Sequence, residues 1–183
     1  ILSRKQLEQR VQKILDLKAR LAQPAPTDAP DFEETSRRVA QAGVTLVRDQ
    51  RKTIPWDSSI RDVCAVFFAD GIFSSQLESF TTTLTQDGLT VQTVSLPVTP
   101  SPKDTPRALS CVEQAQAVVV GTSYKSQLDP AQYALVGQLL REATFTHKPF
   151  VQISLLNPYE LAHYTDVPTM LAVYGPTRAA MQV

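Results

Sequence analysis

Short apolar runs alternate with amphipathic, helix-like segments through most of this chain, and this alternation constrains its fold more than any other feature. The apolar runs are Val44–Val47, Val63–Ala69, Leu89–Leu96, Ala117–Gly121, Phe150–Leu155 and Met170–Tyr174. Short apolar runs separated by helical patterns are typical of parallel strands joined by helical crossovers. We therefore predict an α/β fold: a three-layer, flavodoxin-like α/β/α sandwich with a mostly parallel sheet of five or six strands.

Residues that favour helix starts support the predicted alternation of strands and helices. Asp129-Pro130 and Asn157-Pro158 each combine a capping side chain with a proline suited to the first helical position. Glu160 occupies the capping-box position relative to Asn157. Further caps are predicted at Asp31, at Ser74 or Ser75, and at Thr105.

The first part of the chain differs from the rest. Ser3 opens a helical pattern whose apolar stripe runs from Leu7 to Leu21, and residues 23–30 hold three prolines. We expect residues 1–30 to be an inter-domain helix and linker, and residues 31–183 to be the α/β-sandwich domain. Because the sequence starts without Met and stops in a helical pattern at Arg178–Val183, we expect it to be a fragment of a longer chain.

Charge and hydropathy exclude some classes of partner. Lys plus Arg and Asp plus Glu both number 18, so no net positive field favours nucleic acid, and no nucleic-acid partner is predicted. No run approaches the roughly 18 apolar residues of a membrane span, so none is predicted. The compartment stays open, since a cytoplasmic and an exported parent protein are both compatible with the sequence.

The cysteines and histidines indicate no metal site. Cys64 and Cys111 are flanked by apolar residues, and we predict two buried, free thiols rather than a disulfide or a reactive group. Two histidines without a Cys/His cluster cannot supply the ligands of a zinc site.

The sequence also contains no clear cofactor-binding loop. Phosphate or flavin binding needs a glycine-rich or Ser/Thr-rich turn whose amides face the anion. Asp70–Ser75 is the nearest candidate, with an acidic residue at its mouth, and we interpret it as a strand-to-helix turn. We predict no cofactor.

Catalytic groups are scarce as well. Ser123 does not lie in a Gly-x-Ser-x-Gly elbow, and only His147 and His163 could serve as its base. Of the loop carboxylates, Asp129 and Glu160 have predicted capping roles, so no self-sufficient pair for glycoside hydrolysis emerges. We predict no catalytic residue in this chain.

Several segments nevertheless resemble family-3 glycoside hydrolases. They are LEQRVQKILDLKARL (7–21), AQAGVTLVRDQRKTIP (40–55), VVVGTSY (118–124), KPFVQISLLNPYEL (148–161) and AVYGPTRAA (172–180). Their order and spacing agree with that family's second domain over nearly the whole chain. The bacterial β-N-acetylglucosaminidase (β-N-acetylhexosaminidase) branch is the most similar, because of the Asn157-Pro158-Tyr159 and Tyr174-Gly175 turns. The charged turn at residues 48–52 departs from the family pattern.

The resemblance implies a non-catalytic C-terminal α/β-sandwich domain of an enzyme that hydrolyses terminal β-linked sugars, N-acetylglucosamine being the expected one. Its partners would be a TIM-type barrel earlier in the same polypeptide and the carbohydrate substrate. In that branch the catalytic aspartate and the acid/base histidine belong to the barrel, so they would lie outside this chain. No residue matches the acid glutamate that the β-glucosidase branch carries in its second domain.

The resemblance also suggests where the domain could reach a sugar. Ligands of such sheets bind at the carboxyl ends of the strands, which makes Tyr124, Lys125, Asn157 and Tyr159 candidates for the rim of the substrate site. Tyrosine offers an apolar ring face, and asparagine offers a donor and an acceptor. The competing interpretation is structural: Asn157 as a helix cap and Tyr159 as a cover of the core.

Two other functions compete with this hypothesis. One is a free-standing flavodoxin-like module that binds a small molecule or another protein. The other is a carbohydrate-binding module, which the single tryptophan, Trp56, disfavours. We expect Trp56 to fill the edge of the core instead.

Overall fold

A computed structural model describes residues 4–21, 31–69, 71–123 and 127–182. The chain forms two compact units, Ile1–Thr35 and Ser36–Val183. The first unit contains helix α1 (Arg4–Leu21), whose Val11, Ile14 and Leu15 side chains are about half exposed. The proline-rich linker predicted at residues 23–30 lies outside the described residues.

The second unit is built on one six-stranded sheet. Its strands are β1 (Thr45–Asp49), β2 (Asp62–Phe68), β3 (Thr90–Leu96), β4 (Ala117–Thr122), β5 (Phe150–Ser154) and β6 (Thr169–Ala172). The strand order is β1-β6-β5-β4-β2-β3, and every neighbouring pair is parallel except β1 and β6. Without β1, this is the flavodoxin-like order 2-1-3-4-5. The predicted fold class is confirmed.

Helices cover both faces of the sheet. They are α3 (Ser74–Gln86), α4 (Thr105–Gln114) and α5 (Pro130–Phe145). A further helix, α2 (Phe32–Gly43), begins in the first unit and has no buried residue. Residues of α4 and α5 belong to the core on one face, and residues of α3 belong to the core on the other, where Trp56 also packs. None of the helices in the described ranges is long and apolar enough to cross a membrane.

The helix caps at two strand exits are as predicted. Asp129 Oδ1 accepts hydrogen bonds from the Ala131 and Gln132 amides at 2.9 Å each. Asn157 Oδ1 accepts from the Tyr159 amide at 3.1 Å, at the start of the 3-10 turn Pro158–Ala162. Side-chain oxygens thus bind amide groups that a helix start leaves without partners.

Two other predicted caps are wrong. A 3-10 turn, Gly71–Phe73, leads directly into α3, so Phe73 rather than a serine holds the cap position. Thr105 is already the first residue of α4, and the cap position belongs to Asp104, whose side chain makes no cap hydrogen bond. The Asp104 carboxylate instead accepts from the Ser101 amide at 2.8 Å, one turn earlier.

The prediction of two free thiols is also wrong. Cys64 on β2 and Cys111 on α4 are both fully buried, as expected, but they form a disulfide. Because α4 packs on the face of the sheet to which Cys64 points, the two Cα atoms lie 5.6 Å apart, within the range that a disulfide spans. Their separation of 47 residues hides this proximity in the sequence.

Candidate functional site

The exits of β4 and β5 form the part of the sheet edge where the sequence predicts sugar contacts. The two strands are parallel and Thr122 is paired with Ser154, so their carboxyl ends lie side by side. Asn157 and Tyr159 follow β5 at this edge. Tyr124 and Lys125, which follow β4 in the sequence, lie outside the described residues.

Asn157 and Tyr159 differ in how accessible their side chains are to a ligand. The Tyr159 side chain is 78% exposed, so it does not cover the core and its ring is open to a ligand. Asn157 is half-buried and structural: its Oδ1 caps the 3-10 turn, and its carbonyl accepts from Ser154 Oγ at 3.1 Å. A role of either residue at the rim of a sugar site stays a prediction.

Behind this edge lies a buried polar network that the sequence did not predict. Glu160 is fully buried, and Thr122 Oγ1 donates to its Oε1 at 2.9 Å. Gln152 Nε2 donates in turn to Thr122 Oγ1 at 3.1 Å. The capping-box role predicted for Glu160 is therefore wrong, because its side chain turns into the core and binds strand residues.

The electrostatics of this network are dominated by burial. Burial raises the pKa of Glu160 to about 7, against the opposing effect of the neighbouring Ser154 and Thr122 hydroxyls. Burial also raises the pKa of Tyr164, with a further contribution from the charge of Glu160. Glu160 Oε2, Gln152 Oε1 and the Tyr164 hydroxyl have no hydrogen-bond partner in the described structure.

This network cannot act directly on a substrate, because Thr122, Gln152 and Glu160 have no solvent-exposed surface. It places a titratable group directly under the turn that carries Tyr159. One signal in the sequence pointed to it: Gln152 interrupts the otherwise apolar start of β5, and a buried amide requires a partner.

The described residues contain no serine–histidine pair at this edge. Gln132 holds the Ser123 backbone through two 3.1 Å hydrogen bonds, and Ser123 Oγ is buried without a partner. His147 precedes β5 and so lies at the opposite, amino edge of the sheet. His163 is exposed at the end of the 3-10 turn.

A metal ion or a phosphate group would each need its own set of ligands. No group of three or more His, Cys, Asp or Glu side chains in the described ranges could hold a metal ion. Asp70, at the mouth of the nearest phosphate-loop candidate, lies outside those ranges. The residues after it form the short 3-10 turn and α3, as expected for a strand-to-helix turn.

Comparison with solved structures identifies proteins that share this fold. A family-3 β-N-acetylglucosaminidase from Paenibacillus sp. matches with a TM-score of 0.72 and 21% identity, over 99% of this chain and 36% of that one. A β-glucosidase from Listeria innocua matches with a TM-score of 0.61 and 18% identity, over 85% and 25%. A β-glucoside phosphorylase, BglX, matches with a TM-score of 0.62 and 17% identity, over 99% and 36%. No family model and no curated protein sequence matches the chain.

The resemblance seen in the sequence is thus confirmed at the level of the fold. At these identities the similarity shows a shared architecture and not a shared activity. The matching proteins include both hydrolases and a phosphorylase. The chain spans 36%, 25% and 36% of their lengths. Domains of this fold therefore occur as parts of larger, sugar-processing enzymes.

Proposed function

We propose that this chain is the non-catalytic C-terminal domain of a family-3 glycoside hydrolase. The observation that carries the proposal is a shared architecture over 99% of this chain and only 36% of a β-N-acetylglucosaminidase. The remaining length of such an enzyme would hold the catalytic barrel. By the same likeness, the whole enzyme hydrolyses terminal β-linked sugars, with N-acetylglucosamine the first substrate to test.

Exposed apolar side chains support a missing partner domain. Within the second unit, Val39 on α2 is 67% exposed, and Leu46 and Val47 on β1 are 50% and 49% exposed. Exposed apolar side chains on consecutive elements of the chain are compatible with a surface that another domain covers. This domain supports the barrel through that surface, and α1 with its linker joins the two domains.

The test compares this chain with the longer natural polypeptide that contains it, using a chromogenic β-N-acetylglucosaminide. We expect hydrolysis by the longer polypeptide and none by this chain. Hydrolysis by this chain would contradict the non-catalytic role. A longer polypeptide that cleaves no β-linked chromogenic sugar would contradict membership of a glycoside hydrolase.

A second experiment tests the rim of the substrate site. In the longer polypeptide, Tyr159→Ala removes a 78% exposed ring at the carboxyl edge of the sheet. We expect KM to rise about fivefold with kcat nearly unchanged, since a contact of about 1 kcal/mol to a bound sugar is lost. Phe145→Ala is the matched control, because Phe145 is 81% exposed where α5 leads back to the amino edge. Equal KM values for both variants would place Tyr159 away from the substrate.

A further inference from the structure

An open pocket of about 490 Å³ lies at the amino edge of the sheet, opposite the edge that carries Asn157 and Tyr159. It is formed by the segment after β1 and the turn before β5. Three features that stand apart in the sequence meet here: the charged turn with Arg51 and Lys52, the single tryptophan Trp56, and the His147-Lys148 pair.

The lining of this pocket carries an excess of positive charge. The lining includes three cationic residues, Arg51, Lys52 and Lys148, against the carboxylate of Asp57. A second carboxylate, that of Asp49, lies against the Thr53 amide of the same turn. Hydrogen bonds from Ser59 lower the pKa of Asp57, so its charge counts in full at neutral pH. Because the whole chain has no net charge, an excess of positive charge in one pocket is a local feature that attracts anions.

Two of the cationic groups are free to bind. Arg51 and Lys52 are exposed, and neither makes an ion pair or a hydrogen bond with the described residues. Lys148 is already engaged: its Nζ donates to the Val112 and Glu113 carbonyls at 2.7 Å each. It adds positive charge to the pocket while it holds the end of α4.

Trp56 adds a buried donor without an acceptor. Its indole Nε1 is shielded from solvent and has no hydrogen-bond partner in the described structure. Because Nε1 has no accessible surface, a ligand in the open pocket does not reach this N–H, and only the rest of the Trp56 side chain can line the pocket.

The backbone of the turn is already occupied. The Asp49 carboxylate accepts from the Thr53 amide at 2.8 Å and from the Ile54 amide at 3.1 Å. These bonds fix the turn in which Lys52 adopts a φ of 52°. An anion in the pocket would therefore be bound by side chains presented on a rigid turn rather than by main-chain amides.

We propose that this pocket binds a small, doubly charged oxyanion such as phosphate. Arg51 and Lys52 supply charge-assisted hydrogen bonds, and Lys148, whose ammonium group is bound to carbonyls of α4, supplies only long-range attraction. A dianion matches the two free cationic side chains, Arg51 and Lys52, whereas a monocarboxylate carries charge for only one of them. The site lies across the sheet from the rim candidates, so it is independent of the proposed sugar contacts.

Because Trp56 is the only tryptophan, its fluorescence reports directly on this pocket. Inorganic phosphate is titrated at pH 7.5 with ionic strength held constant by NaCl, and calorimetry provides a second readout. We expect a saturable change in emission with half-saturation in the millimolar range, and a weaker response to acetate. Arg51→Gln/Lys52→Gln should raise the half-saturation at least about tenfold, which corresponds to about 1.4 kcal/mol.

Lys103→Gln is the matched control, because Lys103 is exposed in the crossover before α4, at the other edge of the sheet. It should leave the titration unchanged. The proposal is overturned if phosphate gives no saturable response beyond that of NaCl, or if acetate binds as tightly as phosphate. Equal half-saturation in the double variant and the unmodified chain would overturn it as well.

Discussion

Replacing Glu160 by glutamine should remove a pH dependence of stability that this buried carboxyl group creates. The folded protein raises the pKa of Glu160, because burial disfavours the charged form. At a pH between the pKa values of the unfolded and folded states, Glu160 is protonated in the folded state and has lost its proton in the unfolded state. The free energy of unfolding contributed by this group therefore falls as the pH rises through that interval.

The size of the effect follows from the two pKa values. The pKa is 4.5 for an ordinary glutamate and about 7 for Glu160 in the folded protein. At about 1.4 kcal/mol per pH unit, this difference corresponds to about 3 kcal/mol. Because Glu160 is fully buried, solvent does not screen the effect away. The contribution is complete below about pH 4.5 and is lost by about pH 8.

Glu160→Gln keeps the shape of the side chain and leaves an oxygen to accept from the Thr122 hydroxyl. We expect the variant to match the unmodified chain near pH 4 and to be more stable by about 3 kcal/mol near pH 8. Urea denaturation at several pH values, followed by Trp56 fluorescence, measures both curves. Taking the difference between them cancels other titrating groups, such as Asp49, whose pKa is lowered by the Thr53 amide.

Glu113→Gln is the control for this experiment, because Glu113 is an exposed glutamate on α4. Its difference curve against the unmodified chain should be flat between pH 4 and pH 8. A flat curve for Glu160→Gln too, or one in which the variant gains stability towards low pH, would show that burial of Glu160 does not create this pH dependence.

Two further changes test the packing of the core. Gly121→Ala should lower the free energy of unfolding by about 3 kcal/mol, because a new Cβ would overlap the buried Phe67 ring. Gly137→Ala, on α5 with room for a methyl group, should instead raise it by about 1 kcal/mol; equal effects of the two in urea denaturation would contradict this account. Removing the disulfide with Cys64→Ala/Cys111→Ala should cost about 4 kcal/mol of chain entropy for a separation of 47 residues. Thiol titration of the denatured, unreduced chain should find no reactive thiol, and two would contradict the bond.

The candidate site contains some contacts that local sequence patterns predict and one that they do not. The caps at Asp129 and Asn157 were predictable, because a capping side chain binds amides only two or three residues away. The role of Glu160 was not, because its partner Thr122 is 38 residues distant, at the end of β4. Local patterns favoured a capping box, and burial against the sheet overrode them.

Most of the secondary structure and the architecture could be predicted from the sequence, since strand and helix periodicities and their turn residues are local properties. The alternation of apolar runs and helical patterns was sufficient to predict a mostly parallel, helix-covered sheet. Which distant side chains meet depends on the tertiary structure: Cys64 with Cys111, Glu160 with Thr122, and the turn of Arg51 with His147. Those contacts depend on strand order and on the direction of each crossover, and neither is encoded in the periodicity of any single segment.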